Sequence, residues 1–213
     1  MNWTNLDYFS LQWTLPMALV NKPHPQTLTS LTLKNLLPLP FVFYETEAFA
    51  RVLSSLRHLS ISMHGLDFHA HGTEAMWSLM WSRTIPLRVL TPPQPQLTSL
   101  ILISDQPVGV VPLMDLSGLF YPALRRLTMG GMTFDEHRCM EDFIVRHRAT
   151  LNSLVLDSCP MFFGTTAGAP HRSWATVCAR FQETLENLVE LQVWLRTRWG
   201  WERGDRNRAR RCA

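Results

Sequence analysis

Apolar residues recur along this chain in a fixed local grouping: one apolar position, two others, a second apolar position, one other, and a third. The grouping is carried by Leu28, Leu31 and Leu33; by Leu56, Leu59 and Ile61; by Leu97, Leu100 and Leu102; by Leu124, Leu127 and Met129; by Leu151, Leu154 and Leu156; and by Leu188, Leu191 and Val193. A weaker copy is Leu6, Phe9 and Leu11. The last two apolar positions of each group lie two apart, which puts them on one face of a β-strand. The first lies three earlier, in the turn leading into the strand. All three enter one core only if neighbouring units stack, because a lone unit has nothing against which to bury its apolar face.

The groups start 22, 28, 41, 27, 27 and 37 positions apart. Leucine-rich repeats run about 20–29 residues, so the pattern predicts an α/β leucine-rich repeat solenoid: a curved parallel sheet lined by helices, with irregular repeats and longer helices or insertions in the two long intervals. The wording recurs as well: Leu28-Thr-Ser-Leu-Thr-Leu33, Leu97-Thr-Ser-Leu-Ile-Leu102 and Leu151-Asn-Ser-Leu-Val-Leu156, the last reaching Cys159 where such repeats carry Asn or Cys. Helices are expected at 45–56, at 74–83 with Pro86 closing it, at 133–147 behind a Thr133/Glu136 capping box, and at 173–188. Residues 164–170 look like the most flexible connection. The competing reading is an ordinary α/β domain with coincidental leucine spacing. Six groups in order, three of them in nearly the same words, favour the repeat. The solenoid is expected over residues 1–195, with 196–213 as a basic, solvated tail.

Side chains that alternate with the buried leucines should line the opposite, inner face. Towards the N-terminus these are small and polar: Ser30, Thr32 and Lys34, then His58, Ser60 and Ser62. Further on, Ile101, Ile103, Val155 and Trp194 form an apolar patch, beside Arg126 and Asp157, which set its polarity. Apolar groups rimmed by polar ones mark interaction sites, and Trp and Arg are favoured anchors. The six residues Ile101, Ile103, Arg126, Val155, Asp157 and Trp194 are therefore the expected docking surface for a protein or peptide. The alternative is that a C-terminal extension simply covers Ile101, Ile103 and Trp194.

Charge modifies this picture at one end only. The net charge is +3, but residues 196–213 hold seven Arg against Glu202 and Asp205, so the rest of the chain is net acidic. Trp199 and Trp201 interleave with those arginines, a composition suited to phosphate backbones and bases or to nuclear import. A nuclear or nucleic-acid-associated factor working through this tail is the alternative function, ranked below protein binding. Four sparse cysteines point to a reducing setting, cytoplasmic or nuclear. Residues 1–15 lack the features of a secretory signal, and the longest apolar run, 36–44, is too short to span a bilayer.

Catalytic chemistry finds little support. His64, His69 and His71 with Asp67 are the best candidate metal cluster, but their spacing matches no zinc motif. Gly164 to Gly168 lacks the Lys-Ser/Thr of a phosphate loop, and no nucleophile-elbow or H-E-x-x-H motif occurs. A non-enzymatic protein without cofactor or resident metal is expected.

The string Tyr121-Pro-Ala-Leu-Arg-Arg-Leu127 through Asp157-Ser-Cys-Pro160 resembles the repeat region of fungal F-box/leucine-rich-repeat-like proteins, as do Met140-Glu-Asp-Phe-Ile-Val-Arg-His147 with Thr150-Leu-Asn-Ser-Leu-Val-Leu156 and the later Leu185-Glu-Asn-Leu-Val-Glu-Leu191. The resemblance covers about residues 97–195. It implies the substrate-recognition part of a cullin-type ubiquitin-ligase adaptor. The F-box through which such proteins hold a Skp-type subunit has no counterpart here: Leu39-Pro40 runs into Phe41-Val42-Phe43 rather than an acidic residue. The Skp contact is accordingly not carried over.

Overall fold

A computed structural model describes residues 10, 12–14, 17–18, 28–65, 73–110, 112–135, 139–162 and 173–195. Each of the six strong apolar groups runs into a strand: β1 (Ser30–Leu36), β2 (His58–Met63), β3 (Ser99–Val108), β4 (Arg126–Met132), β5 (Ser153–Asp157) and β6 (Glu190–Trp194). They form one sheet in the order β1-β2-β3-β4-β5-β6, and every neighbouring pair is parallel. The α/β architecture with a single parallel sheet expected from the leucine spacing is thus what the described residues adopt. The weaker group at Leu6, Phe9 and Leu11, the segment 164–170 and the tail 196–213 lie outside the described residues.

Register follows the apolar pattern across the whole sheet. Leu31, Leu59, Leu100, Leu127, Leu154 and Leu191 stand opposite one another, as do Leu33, Ile61, Leu102, Met129, Leu156 and Val193. A one-residue slip would turn all of these to the other face. The first leucine of each group lies before the strand, and Leu56, Leu97, Leu124 and Leu151 are completely buried there. Both ladders are buried from β1 to β5 and become half-buried at β6, the last strand of the sheet.

A second regularity sits at the strand starts. The carbonyl of Thr29 accepts the N–H groups of both Arg57 and His58, at 2.8 and 3.0 Å. The same pair of hydrogen bonds recurs: the Arg57 carbonyl accepts from Thr98 and Ser99, the Thr98 carbonyl from Arg125 and Arg126, the Arg125 carbonyl from Asn152 and Ser153, and the Asn152 carbonyl from Val189 and Glu190. Each acceptor is the residue after the first leucine of its group. The sequence grouping therefore has a backbone counterpart, repeated at all five junctions.

Parallel neighbours need crossover connections, and helices supply four of the five. Between β1 and β2 a 3-10 turn (Val42–Glu45) leads into α1 (Glu47–Ser54), where the Thr46 hydroxyl accepts the Phe49 N–H. Between β2 and β3 lies α2 (Thr73–Leu79), continuous with a wide π-helical stretch (Met80–Leu90). This accounts for the longest interval between leucine groups. Pro86 does not end the helix as expected; it sits inside the wide stretch, and the Thr91 hydroxyl donates to its carbonyl at 2.9 Å. Among the described residues no helix connects β3 to β4. Between β4 and β5 the helix is α3 (Cys139–Arg146), and between β5 and β6 it is α4 (Trp174–Thr184), opened by a capping box of Ser173 and Thr176.

The helix expected to begin at Thr133 does not begin there. The Thr133 N–H donates to the Val108 carbonyl at 2.6 Å and Phe134 bridges to Met161, so this stretch extends the sheet edge instead of starting a helix. Glu136 lies outside the described residues. At the other end of the fold, the buried Gln12 amide pairs with both backbone groups of Leu37, at 2.8 and 2.9 Å, and Trp13 packs edge-on against Phe41.

The helices are tied to one another by one ion pair that reaches a buried charge. Arg180 on α4 donates to Glu141 at 3.2 Å and to Asp142 at 2.6 Å, and Glu141 is completely buried. Removing the cation from a buried carboxylate costs far more than an exposed pair is worth. Arg180→Met is expected to lower unfolding stability by about 3 kcal/mol in urea titrations. Adding Glu141→Gln should return part of that loss; a double variant no better than the single one would show that the pairing is not the source.

Candidate functional site

Alternation along the strands gives the sheet a second face opposite the leucine ladders. Its side chains fall into three rows. Nearest the strand starts run Ser30, His58, Ser99, Arg126, Ser153 and Glu190. The middle row is Thr32, Ser60, Ile101, Thr128, Val155 and Gln192. The third holds Ser62, Ile103, Gly130, Asp157 and Trp194. Lys34 does not join it in register, because β1 shifts between Leu33 and Leu36; there Asn35 takes a φ of 54° and its N–H donates to the Ser62 hydroxyl.

All six residues expected to dock a partner lie on this face, across β3 to β6. Ile101 and Val155 share the middle row with Thr128 between them, so about two strand spacings, roughly 10 Å, separate them. Ile103, Asp157 and Trp194 share the third row, and Arg126 stands in the first. Arg126 is exposed and the other five are half-buried. Gly130 explains part of that cover. A Cβ there would come within 3.2 Å of both Ile103 γ carbons, so the missing side chain lets Ile103 lie across β4.

A polar chain that alternation alone does not reveal holds Trp194 in place. Its indole N–H donates to the Gln192 amide oxygen at 3.2 Å. The Gln192 amide N–H donates to one Glu190 carboxylate oxygen at 2.5 Å, and the Ser153 hydroxyl donates to the other at 2.7 Å. Glu190, Gln192 and Trp194 are spaced by two, which is the only signal in the sequence that could have grouped them. Two shallow depressions mark the face. One of about 360 Å³ lies over β1 to β5 and is lined by Thr32, His58, Ser60, Ile101 and Arg126 among others. One of about 580 Å³ runs along the leading edge, where the strands begin, between Thr98, Arg125, Arg126 and Glu190.

The trailing edge of β2 and β3 carries a second polar contact. Met63 pairs with Ser104, so the next residues, His64 and Asp105, meet although 41 positions apart. His64 Nδ1 lies 2.5 Å from one Asp105 oxygen, and the other accepts the Gly65 N–H at 2.7 Å. Burial pushes the Asp105 carboxyl upward, against the Gly65 hydrogen bond and the His64 ring. His69, His71 and Asp67 lie outside the described residues. Among the described residues no group of three His, Cys, Asp or Glu is placed to hold a metal ion.

No protein-family model matches this chain, and neither does a curated protein or a solved structure. Among the described residues no helix is long and apolar enough to cross a membrane. Cys159, at the position where the repeat pattern allows Asn or Cys, is buried and its thiol donates to the Met129 carbonyl of the neighbouring strand at 3.3 Å. Burial pushes that thiol up to about 12, which suits a structural donor and not a nucleophile.

Proposed function

We propose that this chain is a leucine-rich repeat solenoid whose open sheet face docks a segment of a partner protein. What supports the repeat is the double hydrogen bond that recurs at all five strand junctions, in step with the apolar grouping. What supports docking is one face carrying Ile101, Ile103, Val155 and Trp194 together, beside the exposed Arg126. Half-buried aliphatic groups and a braced indole give up little conformational entropy on binding, and that favours them as anchors. The resemblance to F-box/leucine-rich-repeat-like proteins makes the substrate arm of a ubiquitin-ligase adaptor the form of this reading to test.

Capture from the native cell checks it. The wild-type chain should retain specific proteins, and Trp194→Ala with Ile101→Ser should lose them, by about tenfold or more in recovered partner. The circular dichroism and unfolding midpoint should remain close to wild type, because neither residue belongs to the leucine ladders. Undiminished capture by the double variant would rule out this surface. A Skp-type subunit among the retained proteins supports the ligase role, and its consistent absence removes that role while leaving the docking face.

A further inference from the structure

The leading edge of the open face concentrates positive charge against the net charge of the fold. Outside residues 196–213 the chain is net acidic. Yet Arg57, Arg125 and Arg126 stand exposed along this edge, with His58 beside them. Among the described residues no carboxylate pairs with any of the three arginines. Glu190, on the same edge, is engaged by Ser153 and Gln192.

Backbone geometry makes this edge a fixed platform. The carbonyls of Arg57 and Arg125 each accept two N–H groups from the next strand, so their main-chain positions are locked by the same repeated bonds that stack the sheet. Arg57 precedes β2 and Arg125 precedes β4, which puts them about two strand spacings, roughly 10 Å, apart. Arg126 lines both depressions, together with Ser153, and so joins the arginine edge to the floor that holds Ile101.

Resting on the docking face proposed above, we infer that its occupant is an acidic segment of a partner protein. Its carboxylates lie over Arg57, Arg125 and Arg126, and its aliphatic side chains lie over Ile101 and Val155. Guanidinium forks match carboxylates in pairs of hydrogen bonds, and unpaired arginines beside apolar anchors give such a segment both grip and direction. A polyanion running the length of the face fits less well. It would meet Glu190 on the leading edge and Asp157 in the third row, whereas a short acidic segment over Arg57, Arg125 and Arg126 need not extend to Asp157.

The test is selection of random 12-residue peptides displayed on phage against the immobilised full chain, followed by affinity measurement of the enriched peptides by fluorescence anisotropy. Enriched sequences should carry clustered Asp or Glu next to Val, Ile or Leu. Their affinity should fall by about tenfold or more on Arg125→Glu with Arg126→Glu. Enrichment of neutral or basic peptides overturns the inference. So does undiminished binding of acidic peptides to the charge-reversed chain, which would mean that Arg125 and Arg126 do not hold them. Tighter, Arg125- and Arg126-dependent binding of a 12-nucleotide poly-U probe also overturns it and makes the edge a nucleic-acid site. Ile101→Ser with Trp194→Ala separates the two levels: peptides lost there but kept on charge reversal leave the docking face standing without an acidic occupant.

Discussion

Leu127→Ala is expected to cost about 3 kcal/mol of unfolding free energy, against under about 0.5 kcal/mol for Thr128→Ala at the next position. Leu127 stands between Leu100 and Leu154 in the middle of the first ladder, and all three are completely buried. Truncation removes three carbons from a site walled on both sides by strands whose backbones are hydrogen-bonded in register. Such a wall collapses little, so the loss includes a cavity term as well as lost burial. Thr128 lies on the other face, half-buried between Ile101 and Val155. Denaturant unfolding of both variants measures the sidedness of the sheet. Comparable losses at the two positions would mean that both faces are covered, and the open docking face would go with that result.

The strands were legible because their signal is local and repeated. Two apolar residues on one face and a third in the preceding turn are visible in each group, and the fold places them there: Leu97 is buried before β3 begins at Ser99, and Leu151 before β5 begins at Ser153. The face opposite the ladders followed from alternation, since Ile101 and Val155 had to point away from Leu100, Leu102, Leu154 and Leu156. The connections were less legible because distant contacts decide them. Pro86 looked like a stop, but the helix widens around it and packs Trp81, Ile85 and Val89 into the core. Thr133 looked like a cap, but its N–H is taken by Val108, which is 25 residues earlier in the chain.

Two features of the site depended on stacking order and had no local signal. His64 and Asp105 meet only because β2 and β3 are neighbours in register. Arg57 and Arg125 belong to one edge only because the turns before β2 and β4 align on the same side of the sheet. Each arginine alone is an unremarkable surface residue. Only the sheet places them about 10 Å apart on a shared rim.

Acid should weaken the fold through His147 before most carboxylates titrate. Its ring is buried between Phe120, Tyr121 and Phe143 and is held at both nitrogens. The Tyr121 N–H donates to Nε2 at 3.0 Å, so Nε2 carries no proton, and Nδ1 donates to the Phe143 carbonyl at 2.8 Å. A second proton on the ring would set two donors against each other at Nε2. Burial lowers the pKa of His147 to about 4; Arg146 adds to the shift and the Phe143 carbonyl opposes it. The unfolded chain takes up this proton near the ordinary 6.5, so the stabilisation is complete above that pH. As pH falls from about 6.5 to about 4 the unfolded state binds the proton first, and about 3 kcal/mol is lost across the window. Urea unfolding from pH 7.5 to 4.5 should show this slope, and His147→Gln should flatten it while lowering stability at neutral pH. The ring resonances of His147 should also hold their neutral-form shifts down to about pH 5 in NMR titration. A midpoint at or above 6 would mean that the ring accepts its charge in place, and the slope would need another source.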